Sequence, residues 1–247
     1  MQDDGLTDIN RFPTTRASAI LGVKSADGGE RARSIEEISL AYWKPVYKYT
    51  RLRWRRSPEE TQDITQDFFL KALEKNFFAA YDPSKARFRV FVRVCLDRFI
   101  IDRDRVGRAV KRGGVSGWMT IDFSGVEGEI QESAVLAPDA FDAFFDREWM
   151  RHVLGMAVDR LSAECSAKGK ELHFRIFERF YLQRPAEEEP TYAKLAKEFA
   201  VSETDVTNRL SFARREFRRV VLDTLRGITA SEAEFRNEAR ALLGTIE

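Results

Sequence analysis

The sequence predicts an all-α protein, and three observations lead there. In every long segment the apolar residues return at three- and four-residue spacing, the period of an amphipathic helix. Three short stretches read as capped helix starts: Ser57-Pro58-Glu59-Glu60, Ser202 followed by Asp205, and Ser231 followed by Glu234. No internal repeat and no pair of alternating apolar runs suited to a strand pair is found.

Taken in order, residues 1–30 read as a loosely structured extension. It holds a short helix near 15–21 and a turn or flexible segment, SADGGE, at 25–30. Helical periodicity starts at Ser34 and carries Ile35, Ile38, Tyr42, Val46 and Tyr49, with a kink or restart expected at Pro45. After the Ser57 cap, a helix buries Ile64, Phe68, Ala72 and Leu73 and turns Asp63, Gln66, Asp67, Leu70 and Lys71 outward. A loop at 79–87 leads to a helix from about Phe88 to Arg108. Its apolar face is Phe88, Phe91, Val92, Cys95 and Phe99, with Asp102 beside them. Arg89, Arg93, Arg103 and Arg105 are expected to reach solvent or a ligand. A Gly-containing acidic connection beginning at 111–118 reads as an interdomain linker, since so long a loop does not suit the inside of a compact domain. Periodicity resumes at Phe141 and runs through Trp149, Val153, Met156 and Leu161. A last amphipathic helix, about 231–244, carries Phe235, Ala239, Leu242 and Leu243 on one side.

Charge is divided along the chain more than its net value of +1 suggests. Residues 83–112 hold ten Lys/Arg against three Asp/Glu, and residues 113–145 hold six Asp/Glu and no Lys or Arg. A basic module followed by an acidic stretch sums to near zero and still binds phosphate. Cys95 and Cys165 are far apart and form no CxxC, which suits a reducing cytoplasm and gives no zinc site. The N-terminus lacks the pattern of a signal peptide, and no window is apolar enough to span a membrane, so a cytoplasmic protein with no membrane partner is expected. No P-loop, GxSxG or HExxH occurs, and His152 and His173 stand in no catalytic motif. No catalytic residue, metal or cofactor is therefore assigned, and the chain is not expected to be an enzyme.

The stretch TYAKLAKEFAVSETDVTNRLSFARREFRR, 191–219, has the spacing of a helix-turn-helix. Leu195, Ala196 and Phe199 face inward from its first helix, Val201 plugs the turn, and Val206, Leu210 and Ala213 face inward from its second. The outward face of the second helix carries Thr204, Thr207, Asn208, Ser211 and Arg215, residue types that contact base edges. Arg209, Arg214 and Arg218 are placed for phosphates, which give affinity without sequence choice. An ordinary helical hairpin with a solvated face gives a similar pattern. Ala200 stands where such turns usually hold Gly.

Three blocks in this order resemble a known family. DITQDFFLKALEK (63–75) resembles the polymerase-clamp-binding helix of sigma region two. FRVFVRVCLDRFIIDRDR (88–105) resembles the helix that opens and reads the downstream promoter element. DVTNRLSFAR (205–214) resembles the end of sigma region four. With FPTTR (12–16) and AYWKPVYKY (41–49), the chain looks like a bacterial RNA polymerase sigma factor of the sigma-70 family, extracytoplasmic-function type, in a larger subgroup with a C-terminal extension. Two positions depart from the family's usual pattern: Asp97-Arg98, where Arg-Asn is frequent, and Phe212, where the recognition helix usually has Arg.

The resemblance implies two helical modules joined by an acidic flexible linker, which reads equally as a nucleic-acid mimic in a positive channel or as a soluble spacer. They divide as an extension at 1–30, a region-two-like domain at 31–112, the linker at 113–144, a region-four-like domain at 145–227 and a C-terminal helical extension at 228–247. It implies core RNA polymerase as a partner of the Asp63, Gln66, Asp67 and Leu70 stripe, whose mixed acidic and apolar character suits a basic helical surface. It implies promoter DNA as a partner of Tyr81, Lys85, Arg89, Arg93, Arg98, Arg103 and Arg105, because arginines interleaved with aromatics suit a single strand. Loop 79–87 is where the family places the pocket for an extruded base. An anti-sigma protein or a regulatory kinase remains open as a further partner. The alternative is a helix-turn-helix regulator that binds DNA without polymerase, and a third reading is a helical interaction protein with no DNA role.

Overall fold

The computed structural model describes residues 18–107, 121–130, 137–183 and 190–244. The FPTTR stretch, residues 113–120 and 131–136 of the acidic connection, and the 186–189 loop lie outside the described residues. Among those described, all regular structure is helical, in nine α-helices and short 3-10 turns. They are α1 (Ala19–Gly22), α2 (Gly28–Arg53), α3 (Pro58–Lys75), α4 (Phe88–Gly107), α5 (Phe141–Ala167), α6 (Glu171–Tyr181), α7 (Tyr192–Glu198), α8 (Glu203–Gly227) and α9 (Glu232–Leu243).

Helix α2 departs from expectation at two places. It begins at Gly28, inside the stretch expected to be a turn, because Asp27 accepts from the Gly29 and Glu30 amides and caps the first turn. It also runs through Pro45 without a restart. A mid-helix proline costs about 3 kcal/mol, but Ala41, Tyr42, Val46, Tyr47 and Tyr49 around it are all buried. Tertiary burial there outweighs the local penalty. Helix α3 opens as expected, with Ser57 accepting from the Glu60 amide at 3.2 Å and Glu60 returning the bond. It ends at Asn76 in the left-handed conformation, φ +46°. The buried stripe of α4 is Phe88, Val92, Leu96 and Ile100, at strict four-residue spacing. Asp102 is exposed rather than beside the apolar face.

Two apolar cores form, and helices α5 and α8 pass through both. The larger takes residues from α1 to α4, from the first half of α5, from the last turns of α8 and from α9. The smaller takes Leu161 and Cys165 of α5, with Ile176, Phe177, Leu195, Val206, Leu210 and Ala213. The cause lies in α5, where Phe145, Trp149, Val153, Ala157, Leu161 and Cys165 recur every four residues and are all buried. Its first half covers α2, and its second half supports the helix-turn-helix. The expected boundary at 144/145 therefore does not separate one core from the other. Residues 121–130 are also packed down: Ile121 and Val126 are buried, and Phe123 stacks against Trp43 and Tyr47.

Candidate nucleic-acid interface

Helices α7 and α8 meet at a four-residue turn, 199–202, in which Ala200 takes φ +52°. An alanine accepts this left-handed conformation at a cost of about 1–2 kcal/mol. Buried Leu195, Val206 and Leu210 hold the two helices on either side of it. Ser202 accepts from the Asp205 amide at 3.0 Å, and Asp205 accepts from the Ser202 amide at 3.3 Å, so the expected reciprocal cap is present. That cap holds the Asp205 carboxyl below its usual range, chiefly through the Ser202 hydroxyl.

The first half of α8 then presents Thr204, Thr207, Asn208, Ser211 and Arg215 to solvent on one face. Thr207 turns its hydroxyl back to the Glu203 carbonyl at 2.9 Å. Arg214 donates to Tyr192 Oη at 3.2 Å and to Tyr181 Oη, and lies over the Tyr181 ring at 5.4 Å. Such a clamp fixes its guanidinium beside the outward face. Arg209 is half-buried, and its Nε has no hydrogen-bond partner among the described residues. Arg218 is half-buried too. Phe212, where the family resemblance expects Arg, is bracketed by Lys170 at 3.8 Å and Arg215 at 5.6 Å from its ring. Positive charge thus gathers around a ring rather than at that position itself.

The basic surface of α4 is arranged differently. Arg89, expected at solvent or a ligand, is 3% exposed. It pairs with Glu238 of α9 and, at 2.9 Å, with Asp146 of α5, and it lies 5.1 Å over the Trp149 ring. Arg93 pairs with Asp142 at 2.8 Å and with Asp97 at 3.6 Å. Arg103 pairs with Asp67 of α3. Arg105 is exposed and stands 3.7 Å from Asp102. Arg98 is exposed, and Lys85, 80% exposed, lies 3.5 Å from Asp82. Tyr81 is buried, donating to the Ala86 carbonyl at 2.9 Å and to Glu234 at 3.2 Å. Burial, and then the Glu234 charge, push its hydroxyl far above the usual phenol range. The physical reason for the difference from expectation is that acids of α5 and α9 lie over the first two turns of α4.

On α3, Asp63 and Gln66 are exposed, while Asp67 and Leu70 are half-buried. The stripe is continuous, but its acid at 67 is shared with Arg103 of α4.

Some acidic partners were not legible from pattern. Glu127 accepts from Tyr47 Oη at 2.5 Å and from Arg51 Nε at 2.8 Å. The Arg51 hydrogen bond holds the Glu127 carboxyl below its usual range. Glu129 pairs with Lys44 at 2.7 Å and with Lys48 at 2.8 Å, and Lys48, 3% exposed, reaches Glu148 at 2.8 Å as well. The available signal was the set Lys44, Lys48 and Arg51, which lies on one helical face and needs an acidic counterpart. Asp97 is a second such hub: it accepts from Tyr49 Oη and Trp54 Nε1, each at 3.1 Å, and ties α4 to α2.

Comparisons with protein-family models, with curated proteins and with solved structures return no significant match for this chain. No helix among the described residues is long and apolar enough to cross a membrane.

Proposed function

We propose that this chain is an RNA polymerase sigma factor of the extracytoplasmic-function type, which binds core polymerase, recognises promoter DNA and opens it. The observation that carries the reading is the outward face of α8. Thr204, Thr207, Asn208, Ser211 and Arg215 stand exposed on the second helix of a capped helix-turn-helix, with Arg209, Arg214 and Arg218 flanking them. Side chains of this kind read base edges in a major groove, and the flanking arginines meet phosphates. In the same chain, α3 carries Asp63, Gln66, Asp67 and Leu70 for a basic helical partner, and α4 carries arginines among aromatics for a single strand, of which Arg98 and Arg105 are exposed. The region-two-like module of this reading is 31–112, around α2–α4, and the region-four-like module is 145–227, with most of α5 and with α6–α8. Residues 113–144 form the acidic connection between them and 228–247 the C-terminal extension.

Co-purification with core polymerase and run-off transcription on a promoter selected from a randomised pool test the proposal. Core-dependent transcripts with a fixed start are expected, and Asp63→Arg is expected to weaken core binding. A chain that neither binds core nor directs transcription refutes it.

A polymerase-independent helix-turn-helix regulator is the second reading. It is favoured by one observation: the cations of α4 are largely paired with acids of other helices, whereas Thr204, Thr207, Asn208, Ser211 and Arg215 of α8 are exposed. Sequence-specific duplex binding without core binding is its expected result.

A further inference from the structure

Helix α9 brings two carboxylates into the groove between loop 79–87 and α4. Glu234 and Glu238 are 7% and 2% exposed. One Glu234 oxygen accepts from the Phe88 amide at 2.6 Å and from Tyr81 Oη at 3.2 Å, and the other accepts from the Ala230 amide at 2.9 Å. Glu238 pairs with Arg89 and lies 3.9 Å from Arg87. The sequence expectation for Glu234 was a reciprocal cap with Ser231. Ser231 does accept from the Glu234 amide at 3.2 Å, but the Glu234 carboxylate is divided: one oxygen turns back to the Ala230 amide rather than that of Ser231, and the other crosses to α4.

Stability alone does not call for this arrangement. Phe235 and Ala239 already bury the apolar side of α9, and Leu242 and Leu243 pack at its end. Each buried carboxylate costs several kcal/mol in desolvation, and apolar residues of similar volume generally serve as well or better. What two carboxylates do supply is complementarity to one set of donors: a backbone amide, a phenol and two guanidinium groups. That donor set also suits phosphate oxygens.

We propose that α9 is a tethered competitor for single-stranded DNA, its Glu234 and Glu238 carboxylates holding the donors on loop 79–87 and α4 that the phosphates of an opened strand would take. The inference rests on the reading of α4 as a single-strand surface and adds its regulation. α9 is joined to α8 by residues 228–231 only, so that when it leaves its site it stays beside it. A lone phosphate competes poorly against that. A polynucleotide, which presents successive phosphates to the same donors, competes better.

The full-length chain and its Glu234→Gln/Glu238→Gln variant are titrated with fluorescent oligothymidylate at constant salt. Hydrogen exchange of the wild type is followed with and without saturating oligothymidylate. The variant is expected to bind about tenfold more tightly, as follows when loss of the two charges lowers the docked-to-open ratio by that factor. In the wild type, amides of 230–243 are expected to lose protection while those of 79–93 gain it. Equal affinity of wild type and folded variant overturns the proposal. So does unchanged protection of α9 at saturation, or failure of both proteins to bind oligothymidylate. The exchange measurement decides alone if the variant does not fold. A chain that shows the exchange of α9 for oligothymidylate but does not bind core polymerase keeps the competitor and loses the sigma-factor reading. Transcription with α9 protected throughout does the reverse.

Discussion

Arginines line both α4 and the first half of α8, yet the two helices use them in opposite directions. On α4, Arg89, Arg93 and Arg103 each meet an acid from another helix. On α8, Arg209 and Arg218 meet none among the described residues, and Arg214 is held by tyrosine rings and hydroxyls. Composition alone does not separate these cases. What separates them is whether a distant acid folds back onto the helix: Glu238 lies 149 residues beyond Arg89 in the chain. A cation with an internal acidic partner contributes first to the fold. A cation without one is available to phosphate.

Substitutions sharpen or break this contrast. The largest effect is expected from Arg89→Ala, which leaves Glu238 buried without its partner. A loss of about 3–5 kcal/mol in urea unfolding is expected, whereas exposed Arg215→Ala stays within about 0.5 kcal/mol. Equal losses would erase the distinction between the two helices.

His152 extends the internal side of the comparison to α5. Its Nε2 lies 2.7 Å from the Leu40 carbonyl, and burial lowers its pKa to about 4. The unfolded chain therefore takes up a proton near pH 6.5 that the folded chain refuses. The contribution is fully present above that value and is lost as pH falls from 6.5 towards 4, by at most roughly 3 kcal/mol. Thermal unfolding of His152→Gln is expected to be less sensitive to pH over this window than the wild type, and parallel curves would contradict the assignment.

The smallest effects on stability, and the most selective on binding, belong to the outward face of α8. Asn208→Ala is expected to cost about 1–3 kcal/mol of binding at one base position. Arg218→Ala is expected to weaken all sequences alike and to reduce the salt slope by about one. Binding to a randomised upstream element separates the two. The same loss profile for both would mean that α8 reads no bases.

Much of this was legible in the sequence. The helices announced themselves by period and cap, as at Ser57 and Ser202, because those signals lie within a few residues of one another. The inward side of the helix-turn-helix, at Leu195, Val206 and Leu210, and its outward side, at Thr207, Asn208 and Ser211, follow from helical geometry once the cap is placed. Local signals misled where distant burial intervened. Pro45 continues a helix because its neighbours are buried on several sides, and Gly28 joins one because Asp27 caps it. Glu234 keeps only part of its local cap pattern, with one oxygen on the Ala230 amide, because the Phe88 amide and the Tyr81 hydroxyl lie within reach of the other.

The sequence by itself determined the helical class, the capped helix starts at Ser57 and Ser202, and the alternation of a basic segment with an acidic one. Each of these depends on contacts within one or two turns. Only the tertiary structure decided which charges are spent on the fold. Glu127 and Glu129 on α2, Asp142 and Asp146 over α4, and Glu234 and Glu238 against Tyr81 and Arg89 are pairings between segments far apart in the chain. Charge attraction does not specify a partner among many acids. The apolar stripe of α5 and the apolar side of α9 do, because burying them sets the acids beside these cations and no others.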